Sequence, residues 1–140
     1  MNRTAHLRHV GIRSRDIPRT ADFYARVFEL AILDAPVSGQ GAVLSDGVLN
    51  LTIVPVVDEG AAPGPVPEGS EPIHLGFVVA DLAGAFKRCQ ELGATILAGS
   101  IARDPVLPGV IPSHSFKVAD PNGNVVDVVG DPKHWQGIVI

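Results

Sequence analysis

Two histidines in this 140-residue chain stand in matching surroundings. His9-Val10-Gly11-Ile12 leads to Asp16, and His74-Leu75-Gly76-Phe77 leads to Asp81, so the whole pattern recurs 65 residues on. A repeat that keeps register through polar positions marks a chain made of two copies of one unit. It also gives the two imidazoles equivalent places. A third ionisable residue, Asp127, lies inside the run Val125-Val126-Asp127-Val128-Val129. A carboxylate is costly to bury unpaired, so Asp127 needs a partner: a metal, Arg13, Lys117 or a second chain. Two neutral imidazoles and one carboxylate are the ligand set of a divalent transition metal with open positions, and imidazole suits Fe, Mn, Zn, Ni or Co. One carboxylate leaves a residual charge of about +1 on the ion, which can bind and polarise an oxygen-rich substrate as a Lewis acid. A single histidine on a strand is ordinarily a hydrogen-bonded structural residue. Two at repeat-equivalent positions, with an aspartate on the matching face, point to a metal.

The elements that must carry these residues follow from hydrophobic periodicity. Residues 7–14 alternate, with Val10 and Ile12 on one face and His9, Gly11 and Arg13 on the other. Asp16 is a short acceptor suited to capping a helix, and Pro18 fits early in that helix, where no intrahelical bond is lost. Ala21, Tyr24 and Phe28, flanked by Phe23, Val27 and Leu30, form its buried stripe. Strands are expected over 31–37, 42–45 and 48–54, with a hairpin at Asp46-Gly47. The last of these puts Asn50 and Thr52 on the face opposite Leu49, Leu51 and Ile53. Residues 58–72, rich in Pro and Gly, read as a linker. The pattern then restarts. A strand from Ile73 sets His74, Gly76 and Val78 opposite Ile73, Leu75, Phe77 and Val79. Asp81 caps a helix stopped at Gly93. Strands follow over 94–101, 113–119 and 125–130, with a Pro-rich loop at 102–112 and a tight turn at Asp120-Pro121-Asn122-Gly123-Asn124. The expectation is one α+β domain over 1–140: module one at 6–57, linker 58–72, module two at 73–130 and a tail at 131–140. Two βαβββ half-sheets side by side would make an open, barrel-like mixed sheet with helices outside and His9, Asn50, His74 and Asp127 inside.

Other residues on that inner face could take part. Asn50 has a neutral amide oxygen, a poor ligand, which could instead hydrogen-bond to substrate or to bound water. Arg13 or Lys117 could hold an anionic substrate group, with Ser115 and Thr52 beside them, and Lys117 could serve as acid or base next to a metal's charge. Each of the two cations could equally be a solvated rim charge. Tyr24 and the phenylalanines belong to packing. His114 is a weaker candidate, and His134 and Trp135 could close the site or sit in a dimer contact.

Composition narrows the partners. Hydrophobic residues are 46% of the chain, enough for a sizeable core, and the net charge is −4 with a pI near 5.6. Lys and Arg form no cluster, which argues against nucleic acid. No apolar run approaches the roughly 20 residues that span a bilayer, and the N-terminus has no signal-like stretch. The single Cys89 allows neither an internal disulfide nor a cysteine zinc cluster. A cytoplasmic protein without membrane contact is expected.

The chain resembles the vicinal oxygen chelate superfamily, which includes glyoxalase I, methylmalonyl-coenzyme A epimerase, extradiol dioxygenases, fosfomycin-modifying enzymes and bleomycin-resistance proteins. The resemblance rests on His9-Val10-Gly11-Ile12 up to Asp16, Phe23-Tyr24, Ile73-His74-Leu75-Gly76-Phe77 up to Asp81, and Asp120-Pro121-Asn122-Gly123, and covers roughly Leu7 to Gly130. It implies paired βαβββ modules, a homodimer, a small-molecule substrate and a divalent metal ion held by His9, His74 and Asp127. It places Asn50 where glyoxalase I has a Glu and the epimerase a Gln, which matches better the members with three ligands. Asp127 stands where Glu is usual and is shorter by about 1.5 Å. The potassium-binding loop of a fosfomycin enzyme is not evident in 102–115. Two chemistries follow on a substrate with adjacent oxygens. One is proton transfer through an enolate-like anion, as in a lyase or isomerase, with Asp127 or Lys117 as base; the other is ring-cleaving dioxygenation on Fe(II), an oxidoreductase reaction. The alternative is a metal-free protein that sequesters a drug, which the scarcity of inner-face aromatics disfavours.

Overall fold

The computed structural model describes residues 5–37, 40–57, 69–98 and 106–138. The chain divides into two compact units, Met1–Ala62 and Pro63–Ile140. Within each unit the order is strand, helix, strand, strand, strand, the α+β arrangement expected from the repeat.

The first unit comprises β1 (His9–Ser14), α1 (Ile17–Phe28), β2 (Ala31–Val37), β3 (Gly41–Ser45) and β4 (Asn50–Pro55). The sheet order is β1-β4-β3-β2, with β1 parallel to β4 and the other pairs antiparallel. Alternation decides which face is buried. Ile12 on β1, Ala42 and Leu44 on β3, and Leu51 and Ile53 on β4 join Phe23, Tyr24 and Val27 of α1 in one core. The Asp16 carboxylate accepts from the Arg19 N–H at 3.1 Å and starts α1. Ser14 is buried on the core face, and its hydroxyl is satisfied by Thr20 Oγ1 at 2.8 Å and the Asp16 N–H at 2.9 Å. Leaving such a hydroxyl unpaired would cost on the order of 1–3 kcal/mol.

The second unit repeats this with β5 (Leu75–Val78), α2 (Leu82–Glu91), β6 (Thr95–Leu97), β7 (Ser115–Ala119) and β8 (Val125–Val129), in the order β5-β8-β7-β6. Strands β5 and β8 are parallel, the others antiparallel. Asp81 caps α2 through the Gly84 N–H at 2.9 Å. Gly93 ends it with φ +65°, and the N–H groups of Gly93 and Ala94 return to Gln90 and Cys89 carbonyls, which ties up orphan acceptors of the last turn. Phe86 of α2 meets Phe116 of β7 edge to face at 5.2 Å. A 3-10 turn, Pro132–His134, follows β8.

Several expected boundaries move. The first strand begins at His9, not residue 7. Four residues, 46–49, separate β3 from β4, because Asp46 Oδ1 accepts from the N–H groups of both Val48 and Leu49 and widens the turn. Val48 therefore lies in the loop. In the second unit the strand begins at Leu75, and Ile73 is exposed rather than in the core. Helix α1 ends on Glu29 in the left-handed region at φ 58°, where no glycine announced a stop. Residues 58–68 of the expected linker, Ser38-Gly39 of the first turn, and 99–105 at the end of the expected sixth strand and the start of the Pro-rich loop lie outside the described residues. Among the described residues no helix is long and apolar enough to cross a membrane.

Candidate metal and substrate site

In the second unit, strand register brings the chemistry together. Asp127 is at the centre of β8, opposite Gly76 of β5 on one side and Lys117 of β7 on the other. On its own face it is flanked by Val125 and Val129, both buried. Its side chain is 19% exposed, and it has the partners that a half-buried carboxylate needs. Lys117 Nζ lies 3.3 Å from Oδ1, and His74 Nε2 lies 3.2 Å from Oδ2. His74 stands just before β5, and its ring is 43% exposed. Ser115 lies two residues before Lys117 on the same face, opposite Val129.

The other ring nitrogen of His74 meets a residue that the sequence reading put in the linker. Glu71 Oε1 lies 3.4 Å from Nδ1, and the Glu71 side chain is only 10% exposed. Its pKa is lowered, first by a hydrogen bond from its own backbone N–H, with burial opposing, and then by the Gly69 N–H and the charges of His74 and Lys117. The sequence signal was present but faint: an acidic residue three positions before the histidine, hidden among Pro and Gly.

In the first unit, His9 opens β1 opposite Asn50 of β4. Its Nδ1 lies 2.8 Å from Asn50 Oδ1, which also accepts from the Thr52 hydroxyl at 2.7 Å. An oxygen that accepts from Nδ1–H selects the tautomer in which Nε2 carries the lone pair, the state required of a metal ligand. Asn50 is thus engaged in orienting His9. Arg13, on the same strand face, donates from Nη1 to the Pro55 carbonyl at 2.9 Å.

Register also sets which residues of the two units correspond. Gly11 pairs with Thr52 in the first unit, and its repeat partner Gly76 pairs with Asp127 in the second. By strand position the counterpart of Asp127 is therefore Thr52, and Asn50 corresponds to Val125.

A divalent ion can be tested against the second-unit pair. Two donors about 2.1 Å from one ion are roughly 3.0 Å apart at a right angle and roughly 3.4 Å apart at a tetrahedral angle. The 3.2 Å between His74 Nε2 and Asp127 Oδ2 falls between these values and suits adjacent ligands. Glu71 faces the opposite ring nitrogen and cannot share that ion. Among the described residues no three His, Cys, Asp or Glu side chains form a ready cluster, so the local geometry offers a pair of ligands.

The remaining candidates are placed as follows. Tyr24 is fully buried in the α1 stripe. His114 is exposed and bonded to Ser113 Oγ at 2.8 Å. His134 and Trp135 stack edge to face, centroids 5.5 Å apart. The outer edge of the Trp135 indole lies against Gly76, whose missing side chain makes room for it. The tail thereby puts an aromatic ring beside the strand position that pairs with Asp127.

The sequence profile described as Glyoxalase/Bleomycin resistance protein/Dioxygenase superfamily matches residues 6–128. Among solved structures, lactoylglutathione lyase from Agrobacterium tumefaciens is similar over 97% of this chain and 99% of its own, with 20% identity and a TM-score of 0.62. The genomically encoded fosfomycin resistance protein FosX from Listeria monocytogenes is similar over 94% and 95%, with 13% identity and a TM-score of 0.66. Oxidase ChaP-H2 is similar over 93% and 96%, with 23% identity and a TM-score of 0.65. At these identities the likeness speaks for the fold. No curated protein matches the sequence significantly.

Proposed function

The chain belongs to the Glyoxalase/Bleomycin resistance protein/Dioxygenase superfamily, and from that premise we propose that it is a metal-dependent enzyme acting on a small substrate with adjacent oxygens. The proposed ligands are His9 from the first unit and His74 and Asp127 from the second. The observation that carries the reading is the contact of His74 Nε2 with one oxygen of Asp127 while Lys117 holds the other. A divalent ion bound there supplies Lewis acidity toward paired oxygens. Three protein ligands leave positions for both oxygens of a substrate.

The chain's own residues set the rest. Asn50 and Thr52 hold His9 in the ligating tautomer. Lys117, 15% exposed, fixes the rotamer of Asp127. Its ammonium can also offer a proton to, or neutralise, a developing oxyanion beside it. Arg13 and Ser115 are the proposed contacts for peripheral polar groups of the substrate. With Asn50 engaged by His9, the proposed proton transfer falls to Asp127 or Lys117. That arrangement favours chemistry in which the substrate's paired oxygens are held and polarised. Isomerisation or lysis next to a carbonyl, and oxidative cleavage of a vicinal diol ring, are the two reaction classes.

The test is to reconstitute the protein with Fe(II), Mn, Zn, Ni or Co and offer two substrate types. Oxygen uptake with a catechol identifies the oxidative class. Solvent deuterium incorporation with a hemithioacetal or α-acidic carbonyl identifies proton transfer. A metal-loaded protein inert to both, yet binding a planar drug tightly without metal, would contradict the enzyme reading in favour of sequestration.

A further inference from the structure

We propose that Glu71 is a positioning residue for His74. Its carboxylate holds the Nδ1 side of the ring so that Nε2 is presented next to Asp127. The inference rests on the metal reading above and adds a residue outside the strand pattern. An imidazole has two nitrogens on opposite edges, and in the neutral ring one donates and the other accepts. With an ion on Nε2, the one proton of the neutral ring sits on Nδ1, where Glu71 Oε1 lies 3.4 Å away to receive it. Without an ion, a bare Nε2 would face an Asp127 oxygen at 3.2 Å, lone pair against lone pair, and only a proton or a cation between them makes the contact favourable. A proton on Nε2 satisfies that contact in the metal-free protein; a bound ion takes its place, and Glu71 then holds the remaining ring proton on Nδ1.

The two units do this job with different chemistry. His9 is oriented by the neutral amide of Asn50, and His74 by a carboxylate. A carboxylate behind an imidazole raises its basicity as a ligand, so His74 is the stronger donor of the pair. Glu71 is suited to this because its side chain is nearly covered and because backbone N–H groups, including that of Gly69, pin it in place.

Cobalt(II) titration, followed by visible absorption, tests this on the full-length protein, with the thermal midpoint of the metal-free form measured in parallel. Glu71→Ala is expected to weaken cobalt binding about 10- to 100-fold while leaving the metal-free midpoint unchanged. Glu71→Gln keeps an acceptor oxygen toward Nδ1 and should recover part of the loss. Unchanged affinity in Glu71→Ala, with binding abolished in His74→Ala, would overturn the role of Glu71 and leave the metal reading standing. A Glu71→Ala variant whose metal-free midpoint falls along with its affinity, without recovery in Glu71→Gln, would assign Glu71 to structure alone and also overturn it. A wild-type protein that binds no cobalt would overturn both.

Discussion

Replacing Gly76 by alanine should dislodge Trp135 from the flank of the candidate site. A Cβ at position 76 would lie 2.6 Å from Cη2, 2.8 Å from Cζ2 and 3.3 Å from Cζ3 of the indole. Carbon atoms settle at about 3.5–4.0 Å, so the ring must withdraw by about 1 Å or swing away. Overpacking in a closed core costs roughly 1–3 kcal/mol. Trp135 is only half-buried and belongs to the tail, so the ring can move, and a loss near the low end, about 1 kcal/mol, is expected. The assay is direct because the chain has a single tryptophan. Gly76→Ala should shift its emission to the red and increase quenching by iodide. Urea unfolding of Gly76→Ala, Trp135→Ala and the double variant gives the coupling. With the indole gone, alanine at 76 should be neutral or slightly stabilising, since it also restricts the unfolded chain. Unchanged emission in Gly76→Ala, or an equal loss with and without the indole, would refute the contact and with it the claim that the tail borders Asp127.

Asn50→Ala should lower metal affinity by about 10- to 100-fold by freeing the His9 ring, and Asn50→Asp should retain much of it, because an acceptor oxygen remains; calorimetric titration with zinc checks both. Cys89 is buried, and burial, opposed weakly by Arg88, pushes its thiol up to about 12. Native protein at mildly alkaline pH should therefore resist iodoacetamide, with rapid labelling only in denaturant. Because the native thiol keeps its proton where the unfolded one loses it, this group's contribution is complete below about 9 and is lost as pH rises toward about 12, at up to about 1.4 kcal/mol per pH unit. Equilibrium unfolding of wild type and Cys89→Ala across that range should differ in slope.

Much of the fold was legible because local and tertiary signals agree. Asp16 and Asp81 begin helices for the same electrostatic reason, Gly93 ends one, and the alternation read in β1 and β4 matches the buried face, with Val10 half-buried. Elsewhere a single residue type does not report its surroundings. Glu29 takes a left-handed cap conformation that sequence would assign to glycine. Ile73 has the parity of a core residue, yet it precedes the strand and stays exposed. Period-two arithmetic put His74, Lys117 and Asp127 on one face, but their contacts needed the strand register. Glu71 and Trp135 lay outside that arithmetic, since both reach that face from irregular segments where no periodicity exists to be read. The role of Asn50 also needed register. Only the ladder shows that it faces His9 and that Thr52 holds the place corresponding to Asp127.

The proposal that His9, His74 and Asp127 hold one divalent ion is tested most directly by the metal content of untagged protein. Wild type, purified and then incubated with Fe, Mn, Zn, Ni or Co, should carry close to one ion per chain by elemental analysis. His9→Ala, His74→Ala and Asp127→Ala should each lose it while remaining folded. Wild-type protein that retains none of the five ions and shows no change in thermal midpoint with any of them would contradict the account.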